Sequence, residues 1–123
     1  MLDTLYERIG GTKKINSGLE IFYREVLADD RLRPFFGGVD MEHLRARQSM
    51  FLSMLLGGKK VYSGKKLRVA HAGARMHGMD DSHFDALLQH FRGALTAVGV
   101  AADPVTEIMT LLEGTRNDVL DRS

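Results

Sequence analysis

Cysteine is absent from the 123-residue chain. Its absence rules out disulfides, thiolate metal ligands and any cofactor tethered through thioether bonds, and leaves the redox compartment open. No apolar run is long enough to cross a bilayer as a helix, so no membrane partner is expected. An excess of one charge is missing too. Lys and Arg number 17 against 16 Asp and Glu, a formal net charge of +1. The overall balance therefore gives no footing for a nucleic-acid partner or an anionic membrane surface. The opening Met1-Leu2-Asp3-Thr4 lacks a basic region followed by an apolar stretch, so no secretory leader is expected and the cytoplasm is the default location. What remains is ordinary for a soluble globular protein: 44% hydrophobic and 27% charged residues. The length suits one compact domain over residues 1–123.

Helical periodicity runs through the chain, with no strand alternation, repeat or linker. Leu5 to Ile9 reads as a short turn or helix stopped by Gly10-Gly11. Thr12 is the expected cap of a longer helix with Ile15, Leu19, Phe22, Tyr23, Val26 and Leu27 on one face, closed by Asp29-Asp30. Arg31 to Gly38 reads as short and irregular. Asp40 then caps a helix carrying Leu44, Gln48, Phe51, Leu52 and Leu55, ended by Gly57-Gly58. Lys59 to Lys66 reads as a basic loop, and Leu67 to Met76 as a short helix with Leu67, Ala70, His71 and Ala74 aligned. Asp81-Ser82 precedes a helix with Phe84, Leu87, Leu88, Phe91, Leu95 and Val98 on one face, stopped by Gly99. Asp103-Pro104 reads as cap and first position of a last helix with Val105, Ile108, Met109 and Leu112. The fold class is all-α.

The informative positions are polar residues inside apolar stripes. Burying a polar group without a partner costs roughly 1–3 kcal/mol. Tyr23, Gln48 and His71 occupy such positions on three separate helices and could share one internal cavity. Each also suits an ordinary core: a histidine bonded to a carbonyl, a tyrosine reaching the surface, a glutamine bridging two helices. Spacing alone names no cofactor. His43 and His90 fall off the apolar faces, His77 adjoins a helix-stopping glycine and His83 opens a helix, so these read as solvated. None forms the i, i+4 pair of a zinc helix. Lys59, Lys60, Lys65, Lys66 and Arg68 form a local basic cluster, either a solvated loop or a rim for anionic groups. Seven methionines read as core filling.

Several segments in order resemble the group I truncated haemoglobins. They are Leu5 to Gly11, Phe22 to Asp30, Pro34-Phe35-Phe36, Gln48 to Leu52, Leu56-Gly57-Gly58, Tyr62-Ser63-Gly64, Ala70-His71 and His83-Phe84. The resemblance covers nearly the whole chain. It implies a shortened globin-like fold, a two-over-two helical sandwich around haem. Residue by residue it implies His71 as the proximal iron ligand, Phe36 as the aromatic packed on the porphyrin, and Tyr23 and Gln48 as the distal pair that stabilises ligand. Leu44 holds the distal position where most globins carry histidine. Phe35, Arg47, Phe51, Phe84 and Leu87 are implied to line the cofactor, and Tyr62 and Arg75 to lie on the propionate side. Arg47 stands where some relatives carry an iron-binding histidine. Thr115 falls near where some carry a histidine that attacks a haem vinyl group. Leu52 lies where some carry a phenylalanine that gates a tunnel.

The resemblance therefore implies non-covalent haem b with O2, NO and CO as ligands. It leaves two functions open: reversible oxygen binding for storage, transport or sensing, and a nitric oxide dioxygenase that forms nitrate with an external electron-donating reductase; a monomer is expected. A cofactor-free four-helix interaction module is the alternative outside the resemblance, and a haem spectrum separates it from both.

Overall fold

The computed structural model describes residues 4–57 and 78–120. The expected helix around His71, together with Tyr62, Arg75 and the basic loop, lies outside the described residues. Those that are described form helices, one 3-10 turn and connecting turns, with no strand.

Helix α1 spans Leu5–Ile9. The Thr4 hydroxyl accepts from the Glu7 backbone N–H at 3.1 Å and caps it. Gly10 ends it in the left-handed region, φ 110°, a conformation that favours glycine. The chain re-enters helix at once, because α2 spans Gly11–Ala28 with Gly10 as its N-cap. Thr12 is therefore not the cap expected from the sequence. It lies inside α2, and its hydroxyl shares a hydrogen bond with the Tyr6 hydroxyl at 2.6 Å. Ile15, Leu19, Phe22, Tyr23 and Val26 are buried on one side of α2, as their spacing predicts. Asp29 closes the helix.

The irregular segment contains a 3-10 turn, Arg33–Phe36, with Pro34 in its first turn where a missing N–H costs nothing. Helix α3 spans Met41–Leu56, and the Asp40 carboxylate accepts from the His43 N–H as expected. Helix α4 spans Asp81–Ala97. Its cap is Asp80, one residue before the expected pair. Asp80 accepts from the Ser82 and His83 N–H groups, while His83 Nδ1 accepts from the Asp80 N–H at 3.0 Å. His83 is thus a half-buried capping residue rather than a solvated one.

Helix α5 spans Ala102–Glu113, with Ala101 rather than Asp103 as its cap. Asp103 instead sits in the first turn, where the helix dipole favours an acid. A further short helix, α6, spans Arg116–Val119 and has no periodic signal in the sequence.

Helix α2 packs on both α3 and α4, α4 packs on α5, and α1 touches α2, α3 and α5. Val26, Leu32 and Ile108 are completely buried at the centre. Met79, Phe84, Val119 and Leu120 form a second buried cluster where α6 meets the start of α4. Among the described residues no helix is long and apolar enough to cross a membrane.

Candidate functional site

Tyr23 projects from the buried side of α2, 6% exposed. The Phe22 ring meets it edge-on at 4.8 Å and the Phe36 ring at 6.1 Å. Phe22 in turn meets Phe91 of α4 at 5.4 Å, so a chain of edge-to-face rings joins the 3-10 turn, α2 and α4. Burial pushes the Tyr23 phenol well above the ordinary tyrosine range, more than the Arg47 and Arg45 charges on α3 pull it down. It therefore stays neutral and keeps its O–H proton. Among the described residues no hydrogen bond engages that hydroxyl, Gln48 included.

Helix α3 packs on α2. Leu44, Gln48 and Phe51 are half-buried, and Leu52 is fully buried one turn beyond Gln48. A hydrogen bond from the Ser49 hydroxyl to Asn16 ties this part of α3 to α2. Arg47, expected among the lining residues, is exposed. Its charge still reaches Tyr23, as does that of Arg45. Nothing in the local pattern marks Arg45. Its place beside Tyr23 follows from how α3 packs on α2.

The remaining expected lining residues divide between the two buried clusters. Phe36 and Leu44 pack against the larger one and Phe35 against the smaller, while Phe84 is buried within the smaller at 4% exposure. Phe51, Leu87 and Leu88 pack against both. Large apolar side chains from α3, the 3-10 turn and α4 thus stand incompletely buried around the boundary between two cores. Leu88 belongs to this boundary and was legible only as part of an apolar helix face. Phe35 is held in place by the edge of the His83 ring at 4.9 Å.

His90 departs from expectation. Rather than being solvated, it is half-buried and hydrogen-bonded through Nε2 to Asp29 Oδ2 at 2.8 Å, joining α4 to the end of α2. His43 is exposed, as expected. Thr115 is half-buried, and its hydroxyl donates to the Leu112 carbonyl at 2.7 Å.

Comparison with known proteins assigns this arrangement. Residues 4–121 match the bacterial-like globin family. The chain is 37% identical over 119 residues to a group 1 truncated hemoglobin of Tetrahymena pyriformis, covering 97% of this chain and 96% of that one. It is 39% identical over 108 residues to a group 1 truncated hemoglobin of Synechocystis sp., covering 87% of each. Among solved structures it superposes on the 2/2 hemoglobin of Synechococcus sp., in its cyanomet state with covalently attached heme. The TM-score is 0.89 at 34% identity, with 98% of this chain and 100% of that chain covered. The Fe(III) truncated hemoglobin of Tetrahymena pyriformis gives a TM-score of 0.84 at 37% identity, covering 96% and 98%. The chain belongs to the bacterial-like globin family, as a group 1 truncated hemoglobin with the two-over-two helical fold.

Proposed function

We propose that this chain binds haem b non-covalently, with His71 as its protein ligand to iron, and reversibly holds O2 there. The carrying observation is the neutral, buried Tyr23 phenol, unclaimed by any described side chain and flanked by half-buried apolar residues. That environment fits a flat apolar macrocycle whose ligand accepts one hydrogen bond. Haem iron supplies the reversible binding of diatomic molecules.

The chain's own residues set affinity and access. With haem in place, the Tyr23 phenol would be the hydrogen-bond donor available to a diatomic ligand, because burial keeps it protonated. Gln48, half-buried on α3, supports that contact from across the pocket. Leu44 brings no polar atom, so it keeps water from competing for the phenol proton. Phe36 meets the Tyr23 ring edge-on at 6.1 Å and would help hold its orientation towards a bound cofactor. Non-covalent attachment is supported by the lack of cysteine and by Thr115, whose hydroxyl is already committed to a carbonyl.

Absorption spectra of purified protein reconstituted with hemin test the reading. A stoichiometric Soret band, a ferrous form that takes up O2 reversibly, and complete release of haem into acid–acetone are expected. A protein that takes up no hemin overturns the proposal, and haem retained on the polypeptide after extraction overturns its non-covalent part.

A further inference from the structure

Arg116, the first residue of α6, is 17% exposed although its carboxylate partners are 53–59% exposed. Its Nε and Nη2 donate to the two Glu113 oxygens at 2.6 and 2.8 Å, and this fork fixes the plane of the guanidinium. Nη1 donates to Asp81 Oδ1 at 3.0 Å, and Nη2 also reaches Asp85 Oδ1. Asp81 and Asp85 stand one turn apart on α4, with Phe84 between them. The guanidinium carbon lies 4.6 Å from the centroid of the Phe84 ring. One planar cation therefore covers Phe84 and bonds the acids on either side of it.

We propose that Arg116 is a positioning residue for the haem pocket, acting through the Phe84 ring on which it stacks and the Asp81 and Asp85 carboxylates that it bridges. The proposal rests on the haem reading above, in which Phe84 lines the cofactor. Helix α6 is four residues long and cannot hold itself in place. Its anchors are the packing of Val119 and Leu120 in the Phe84 cluster and the bonds of Arg116. The first turn of α4 is then braced twice: Arg116 holds Phe84, and the capping residue His83 holds Phe35. A lysine could supply the charge but not the flat face or the fork.

Transfer of haem from the holoprotein to excess apomyoglobin tests this. Arg116→Gln should lose haem about 10-fold faster than wild type, because its bonds to Glu113, Asp81 and Asp85 are lost together but each partner is more than half exposed and contributes little. Arg116→Lys should recover less than half of that. Arg8→Gln breaks a remote ion pair, Arg8 to Glu107 at 2.9 Å, and should release haem at the wild-type rate. The proton resonances of the haem methyls in the ferric cyanide form should move in Arg116→Gln and stay in place in Arg8→Gln, because only the first displaces a side chain against the cofactor. If Arg116→Gln does not fold, Asp85→Asn keeps the arginine and removes one anchor, and should speed loss about 3-fold, as for a weak exposed pair. Wild-type rates and unmoved methyl resonances in the foldable variants overturn the role of Arg116 while leaving the haem reading intact. A wild-type protein that takes up no haem overturns both.

Discussion

Replacing Tyr23 by phenylalanine removes one oxygen atom and keeps the ring that Phe22 and Phe36 pack against. No hydrogen bond among the described residues is lost with it. The urea stability of the haem-free protein should therefore change by less than about 0.5 kcal/mol. Ligand release should respond far more. Burial keeps the phenol neutral and hence a donor, and under the haem reading it donates to a ligand that would carry partial negative charge. Hydrogen bonds to charged groups contribute about 1.5–3 kcal/mol. If that bond breaks on the way out, Tyr23→Phe should speed O2 release by about 10- to 150-fold, since about 1.4 kcal/mol is a factor of ten. Carbon monoxide gains little charge, so its release should change much less. Gln48→Leu should also speed O2 release, and the double variant should fall short of the product of the two effects, because both side chains serve one ligand. Stopped-flow ligand displacement measures all of these. Equal acceleration of O2 and CO would mean a steric effect and would refute the hydrogen-bond argument, as would no acceleration at all.

Three further outcomes follow from the packing and charges. Burial holds the Tyr23 phenol protonated well above the ordinary tyrosine range, so in an alkaline titration followed near 295 nm Tyr23→Phe should remove no absorbance change near pH 10. The unfolded chain releases that proton and the folded one keeps it, so the stability linked to Tyr23 is complete below about pH 10 and lost as pH rises beyond it. Hydrogen bonds from Arg31 and His90 hold the Asp29 carboxyl well below the usual carboxylate range. Its stabilisation is present above about pH 4 and lost as pH falls further, so the gap in urea midpoint between wild type and Asp29→Asn should narrow below about pH 4. Ile108 is completely buried on α5, and Ile108→Ala should cost about 2–5 kcal/mol in urea unfolding. A cost below about 1 kcal/mol would mean that α5 does not close the core.

The long helices were legible because burial imposes a period. Ile15, Leu19, Phe22 and Val26 mark the buried side of α2, and Phe84, Phe91 and Leu95 that of α4. Caps were less legible where two groups compete for one role. Gly10 turns the chain through positive φ and leaves Thr12 to bond Tyr6 instead. Asp80 and Asp81 are both competent caps, and the His83 ring, which accepts back from Asp80, favours the first. Tyr23 and Gln48 stood out because each interrupts an apolar stripe, and the structure has the first buried and the second half-buried. Contacts between distant segments were not. His90 looked solvated because its partner Asp29 is 61 residues earlier. Arg116 carried no signal because Asp81 and Asp85 lie 31–35 residues away and meet it only when α6 folds onto α4. His71, Tyr62 and Arg75 lie outside the described residues, so their roles stand as proposals.

The central claim is that His71 is the protein ligand of the haem iron. The direct measurement is the ferrous and ferric absorption spectrum of His71→Gly beside wild type, with and without added imidazole. The account predicts that the variant loses haem or shows altered axial ligation, and that imidazole restores a wild-type-like spectrum by filling the vacated position. A spectrum unchanged by His71→Gly would contradict it.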